Sequence, residues 1–205
     1  MSVSPAPTSD QVYLARHGQT AYNHIGRFQG QQQIPLDDTG RAQALELAAR
    51  AVPYGFVALW TSPLIRARET ADAVAAAIGV APVEDARLME TDAGDWTDRL
   101  FADVRAEDPE RFDAFAAADP GFAFPGGESF FEQEERVEAA LADVLAGPLP
   151  ALVVCHGMVI RAAMHRRARP DTPRFTRMPN AALVPLDPDA AAHADLGGGE
   201  ATQPS

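Results

Sequence analysis

Short apolar runs recur along this chain, and most are followed by a stretch with helical spacing. Residues 11–15 (QVYLA), 56–62 (FVALWTS) and 151–155 (ALVVC) read as strands buried on both faces, because apolar residues fill consecutive positions. Residues 82–88 (PVEDARL) hold a short further strand. Residues 181–186 (AALVPL) hold the last one, which Pro185 confines to a sheet edge or keeps short. Thr39 is placed to cap a helix running to Arg50, with Ala42, Leu45 and Ala49 on one face. Pro63 suits the first turn of a second helix, which Gly79 ends after Ile78. Ser129 and Glu132 form a capping box that opens a third, stopped beyond Leu145 by Gly147-Pro148. Residues 157–166 make a fourth. Strands alternating with helices predict an α/β fold in three layers, an α/β/α sandwich around a mostly parallel sheet.

Ligands of such sheets bind beyond the carboxyl ends of the strands. The first strand brings His17 there, the second Ser62 and the central one His156. Two runs, VYLARHG (12–18) and LVVCHG (152–157), thus end alike in His-Gly. N–H groups at the starts of the following helices favour an anion in the same crevice. Residues 98–126 fit the alternation poorly. They carry Phe101, Phe112, Phe115, Phe122 and Phe124, and read either as a helical cap over the crevice or as a helix pair completing the core. Residues 1–9 and 188–205 have the composition of mobile tails, leaving a single domain over 10–187.

The composition narrows the partners. The chain has 205 residues, 46% of them hydrophobic, and a formal net charge of −12. A strongly acidic chain lacks the basic face that nucleic acid or an anionic membrane requires. Cys155 is the only cysteine, which excludes an intramolecular disulfide and a cysteine-rich metal site. The opening MSVSPAPTSD has no basic-then-apolar leader pattern, and no apolar run approaches the roughly 20 residues that span a bilayer. A cytoplasmic protein is expected. No Asp/His cluster has metal-ligand spacing, so neither metal nor other cofactor is expected.

Arg16-His17 is the first candidate for chemistry. A guanidinium fork matches two phosphate oxygens, and a neutral imidazole attacks phosphorus. By itself, RHG equally describes a surface arginine beside a core-edge histidine. The sequence goes on, however, through RHGQTAYN (16–23), SPLIRARETA (62–71), LMETDAGDW (88–96), GGESF (126–130) and VVCHG (153–157). In this order and spacing, these segments resemble the histidine phosphatase superfamily in its phosphoglycerate-mutase-like branch (branch 1), over about Val12 to Leu186. The resemblance implies a phosphoglycerate mutase-like fold and an enzyme acting on a small phosphorylated substrate. It aligns His17 with the nucleophile that becomes phosphohistidine. Arg16, Arg66 and His156 align with the residues that hold the phosphoryl group, joined by Asn23 and by Gly157 next to His156. Glu90 aligns with the acid that protonates the leaving oxygen, and Gln29-Gly30 with a substrate-contacting loop. Similar proteins are often dimers, so a homodimer is compatible with the resemblance.

The chemistry expected of these side chains agrees with those roles. His17 must attack as a neutral imidazole, its other ring nitrogen held by an acceptor such as a backbone carbonyl. Arg16, Arg66 and a protonated His156 would neutralise the charge that spreads over the equatorial oxygens. Glu90 must donate a proton, and burial beside an incoming dianion would keep it protonated; it would then act as base on the hydrolytic water. Other readings stay open for single residues. Arg66 also fits a solvated helix position, and Glu90 stands in an acid-rich stretch. Cys155 reads as a small buried residue and Ser129 as a helix cap. His24 and His165 read as structural or exposed, His193 falls in the tail, and Arg27 and Arg41 face either site or solvent.

The chain departs from the family pattern at Trp96-Thr97-Asp98, where many members read W-E-G. Met158 after the late His-Gly would give the leaving group an apolar neighbour. Val83–Pro120 holds twelve acidic residues against four arginines, a net of −8, where the cap is expected. Such a cap would repel a substrate with several phosphates and favour a monophosphate with a neutral, apolar or cationic leaving group. The related cofactor-dependent mutases are longer and carry a basic insertion absent here. Three functions are therefore weighed: a metal-independent phosphomonoesterase, a phosphoglycerate-type mutase, and a phosphate-binding protein without turnover.

Overall fold

Ala151–Cys155 (β4) is buried at every position, as an apolar run with no polar residue to turn outward requires. It pairs in parallel with Val12–Arg16 (β1) on one side and with Ala58–Thr61 (β2) on the other. Pro82–Glu84 (β3) extends the sheet beyond β2, and Leu183–Pro185 (β5) lies antiparallel beyond β1. In the computed structural model, which describes residues 11–167 and 178–187, the sheet order is β3-β2-β4-β1-β5. The terminal segments 1–9 and 188–205, with His193, lie outside the described residues. Pro185 sits on an edge strand, where its missing N–H leaves no ladder bond unmade.

Alternate residues of the central strands feed two cores. Val12, Leu14, Val153 and Cys155 pack under Phe130–Ala146 (α6) and Gly157–Arg167 (α7). Tyr13, Ala15, Leu152 and Val154 pack under Asp38–Ala51 (α2) and Ile65–Ile78 (α3). Fully burying each aliphatic side chain contributes roughly 1.5–3 kcal/mol, which makes the sheet a rigid platform. The architecture is the expected three-layer α/β/α sandwich. A short helix, Ala21–Ile25 (α1), follows β1 and is closed by a capping box between Thr20 and Asn23.

Three element boundaries differ from the sequence reading. The cap of α2 is the Asp37 side chain, which accepts from the Gly40 N–H at 2.7 Å, and Thr39 lies inside the helix. Pro63 precedes α3 by two residues. The helix begins at Ile65 after Leu64, a residue with no capping oxygen, because Gln33 Oε1 accepts from the Ile65 N–H at 2.8 Å. A partner 32 residues away thus supplies the cap. The strand at 82–88 is confined to its first three residues, and Ala86–Leu88 turns as a 3₁₀ helix.

Residues 98–126 form a cap with a core of its own. It contains Phe101–Glu107 (α4), Pro109–Ala116 (α5) and a loop running back to α6. Phe122 and Phe124 are buried with Trp96, Phe28 and Phe130, and Phe101, Phe112, Phe115 and Met158 pack against them. The phenylalanines complete neither sheet core. Asp98, at the position of the usual glycine, takes φ 69°, which the family pattern would assign to glycine. Its carboxylate accepts from the Tyr22 hydroxyl at 2.6 Å and pairs with Arg27 at 3.0 Å, fastening the start of the cap to α1 and the segment after it.

Candidate active site

The register of β1 against β4 sets Arg16 beside Cys155, so His17 and His156 leave the sheet side by side. The His17 N–H continues the ladder onto the Cys155 carbonyl at 3.0 Å, and the Ser62 N–H does so onto the Val154 carbonyl at 3.1 Å. The two imidazole rings stand 5.2 Å apart, centre to centre. His17 is 1% exposed, and its Nδ1 lies 2.6 Å from the Gly18 carbonyl oxygen. That oxygen only accepts, so Nδ1 carries the hydrogen and Nε2 keeps its lone pair. Burial drives the His17 pKa well below its usual 6.5, and the Arg66 and Arg16 charges add to this.

Arg66, on the first turn of α3, is wholly buried rather than solvated. It donates to the carbonyls of Gln32 at 2.8 Å and Gly30 at 2.9 Å, and burial lowers its pKa to about 10. Its Nε has no hydrogen-bond partner among the described residues, and neither has Nδ1 of His156. Arg16 reaches the Met178 carbonyl and lines the cavity above the histidines. Asn23 Oδ1 accepts from the Thr20 N–H and from Asn180 Nδ2, each at 3.2 Å, which turns the Asn23 amide NH2 away from those bonds. Gln29 accepts from the Thr20 hydroxyl at 2.9 Å. Glu90 accepts the Thr91 N–H at 3.0 Å through Oε1.

A cavity of about 360 Å³ opens over these groups. Arg16, Asn23, Gln29, Gly30, Glu90 and Gly157 line it, so these members of the expected set converge on one space. Phe101, Phe115, Phe124 and Met158 make its apolar wall. His17, Arg66 and His156 are buried and are not among the residues that line it. Gly157 opens α7 onto this space. The N–H groups of Ile65 and Gly18 are instead taken by Gln33 and by Thr70 Oγ1 at 3.1 Å, so two of the expected anion donors are used internally.

Two expectations need correction. His156 was expected to be charged, yet burial and its neighbours Arg66, His17 and Arg16 push its pKa well below 6.5. Its Nε2 lies 2.7 Å from the Ser62 hydroxyl. The acidic cap does not present its charge to the cavity either. Asp103, Glu107, Glu110, Asp113 and Asp119 are exposed, whereas the charged groups lining the cavity are Arg16, Arg27, Arg161 and Glu90. The inference against anionic leaving groups therefore falls.

Arg161 was not singled out from the sequence. It is 8% exposed, lies over the Phe130 ring at 4.2 Å, and forms no ion pair among the described residues. The signal was a lone arginine inside the apolar stretch VIRAAM. Thr70 and Asn180 were also missed, since their contacts, to Gly18 and to the His17 carbonyl at 3.1 Å, span 52 and 163 residues. His24 is exposed, His165 bonds Glu134 at 3.1 Å, and Arg41 pairs with exposed Asp38, so these stand apart from the site. Cys155 is buried, with its thiol pKa pushed far above the usual range, and Ser129 caps α6. Among the described residues no group of three His, Cys, Asp or Glu side chains could hold a metal ion, and no helix is long and apolar enough to cross a membrane.

A family model described as histidine phosphatase superfamily (branch 1) matches residues 12–193. The chain belongs to that superfamily. The chain is 39% identical over 153 residues to a probable phosphoglycerate mutase GpmB of Klebsiella pneumoniae, covering 73% of this chain and 71% of the relative. Its fold superposes on a mycobacterial glucosyl-3-phosphoglycerate phosphatase solved with VO3, at a TM-score of 0.79 and 29% identity, covering 86% and 90% of the two chains. It superposes on Bacillus stearothermophilus YhfR at a TM-score of 0.75 and 31% identity, covering 85% and 90%. The family is one of enzymes, and the chain has the phosphoglycerate mutase-like fold.

Proposed function

We propose that the chain is a metal-independent phosphomonoesterase that hydrolyses a small phosphorylated metabolite through a phosphohistidine on His17. The observation that carries this reading is the Nδ1 contact of His17 with the Gly18 carbonyl, which leaves Nε2 unprotonated in a buried, arginine-flanked position. The Nε2 lone pair attacks phosphorus while the P–O ester bond breaks, and the leaving oxygen takes the proton of the Glu90 carboxyl. Water then attacks phosphorus and gives its proton to Glu90. The P–N bond breaks, inorganic phosphate leaves, and His17 returns to its starting form. Arg16, Arg66 and the Asn23 amide stabilise the equatorial oxygens. Arg66 Nε and His156 Nδ1, buried without partners, have the chemistry for the same task.

A second reading, phosphoglycerate-type phosphoryl transfer, is supported by Arg27 and Arg161. They line the cavity beyond the phosphoryl groups and suit a substrate with a second anionic group. The name of the Klebsiella relative points the same way. One experiment tests both. Phosphate release is measured on a panel of monophosphates with neutral and anionic leaving groups, alongside isomerisation of phosphoglycerates. Release should dominate over transfer, and His17→Ala should abolish it, by about 10³-fold or more. Activity surviving in His17→Ala would sink the mechanism; transfer outrunning release would favour the mutase.

A further inference from the structure

Glu90 lies in a segment without regular structure, yet a proton donor must be held within a fraction of an ångström to work. We propose that Arg136, on α6, is the positioning residue that holds Glu90, a proposal that rests on Glu90 being the acid. Nη1 of Arg136 donates to the carbonyls of Arg87 and Met89, each at 2.7 Å, and Nη2 donates to the carbonyl of Glu90 at 3.3 Å. Nε and Nη2 also bind the two carboxylate oxygens of Glu128, the latter at 2.8 Å. All the N–H bonds of the guanidinium are thus matched by acceptors, an arrangement that the ammonium of lysine cannot copy.

The grip extends past Glu90. The Glu128 carboxylate accepts the Asp92 N–H at 3.2 Å, and the Glu128 N–H donates to the Asp92 carbonyl at 3.0 Å. Main chain on both sides of Glu90 is therefore tied to one ion pair, whose side chains are only 20% and 13% exposed. Gln31 Nε2 also donates to the Glu90 carbonyl, at 3.2 Å. The Glu90 carboxyl has Oε1 on the Thr91 N–H, and its residue lines the cavity. Arg136 itself is not part of the cavity lining. It acts by fixing where the carboxyl points.

The test separates leaving groups by their need for a proton. 4-Nitrophenyl phosphate releases a stable phenolate unaided, whereas an alkyl monophosphate requires protonation of its leaving oxygen. Phosphoenzyme formation is followed in single turnovers for Arg136→Met, for Glu90→Gln and for the double variant. Arg136→Met should slow the alkyl substrate by about 10- to 100-fold and the nitrophenyl ester by less than about threefold, with little change in KM. In the Glu90→Gln background it should add almost nothing. Arg136→Lys should give an intermediate loss with the same selectivity, and it serves if the methionine variant does not fold. Equal slowing of both substrates by the Arg136 variants, or full additivity with a selective Glu90→Gln, would overturn the proposal. A Glu90→Gln variant without leaving-group selectivity would instead remove Glu90 as the acid, and this inference with it.

Discussion

Two buried imidazoles 5.2 Å apart, whose pKa values burial and the Arg66 charge drive well below 6.5, make the site sensitive to acid in a definite direction. In the unfolded chain both histidines take up protons near pH 6.5, while in the fold burial and the Arg66 charge resist them. The unfolded state therefore binds more protons below pH 6.5. Stability is fully present above that pH and falls progressively as pH drops toward the depressed native values. Urea melts at pH 7.5 and pH 5.0 should show the loss, and His156→Gln should make it smaller; a pH-independent midpoint would contradict the buried neutral pair. At this scale the motifs singled out Arg16 and Glu90, which line the cavity, and His17, Arg66 and His156, which are buried. The protonation state of His156 was not legible, because it depends on charges gathered from β1, α3 and α6. Nor was Arg161, whose surroundings come from α5 and α6 across the cavity.

Between β1 and α2 the chain closes on itself with no room for a side chain. A Cβ on Gly40 would stand 1.9 Å from the Gln19 carbonyl oxygen, and one on Gly18 would stand 2.3 Å from the Gly40 carbonyl oxygen. The obstacle is backbone on both sides and cannot rotate away. Gly40→Ala should cost at least about 1–3 kcal/mol in a chemical melt. It should also lower turnover, because Gly18 carries the carbonyl that orients His17. A Gly40→Ala enzyme of normal stability and rate would show that α2 does not brace this loop. Helix and strand identities were readable from periodicity here, down to the Ser129 capping box. Boundaries went astray where the deciding atom was remote: Gln33 capping α3 is invisible to any local rule. Asp37 was readable in principle, since it precedes Thr39 and is a good capping residue.

Over the whole molecule, the net charge of −12 and the chemistry of the cavity point in opposite directions. Asp103, Glu107, Glu110, Asp113 and Asp119 of the cap are exposed, and none of them lines the cavity. Their fields are screened within about 8–10 Å at ordinary ionic strength. Replacing Asp103, Glu107, Glu110 and Asp113 together by amides should leave KM for a monophosphate within about twofold; a tenfold fall would mean that the outer charge does repel substrate. Composition alone could not reveal this, because it counts charges without saying which way they face. The layered fold was legible as a whole, and the cap was one of two readings of residues 98–126; the choice between them was not legible, since phenylalanines that build a separate core read like any other apolar residues.

That separate core also fixes where the molecule can be cut and rejoined. Three of its rings belong to the catalytic scaffold rather than the insertion: Phe28 from the loop after α1, Trp96 from the segment after Glu90, and Phe130 from the first turn of α6. A cap transplanted from a relative by exchanging residues 98–126 alone would arrive over foreign rings and leave gaps between them. Exchanged with positions 28, 96 and 130, it would bring its own floor, and new selectivity could then be grafted onto an unchanged phosphoryl site.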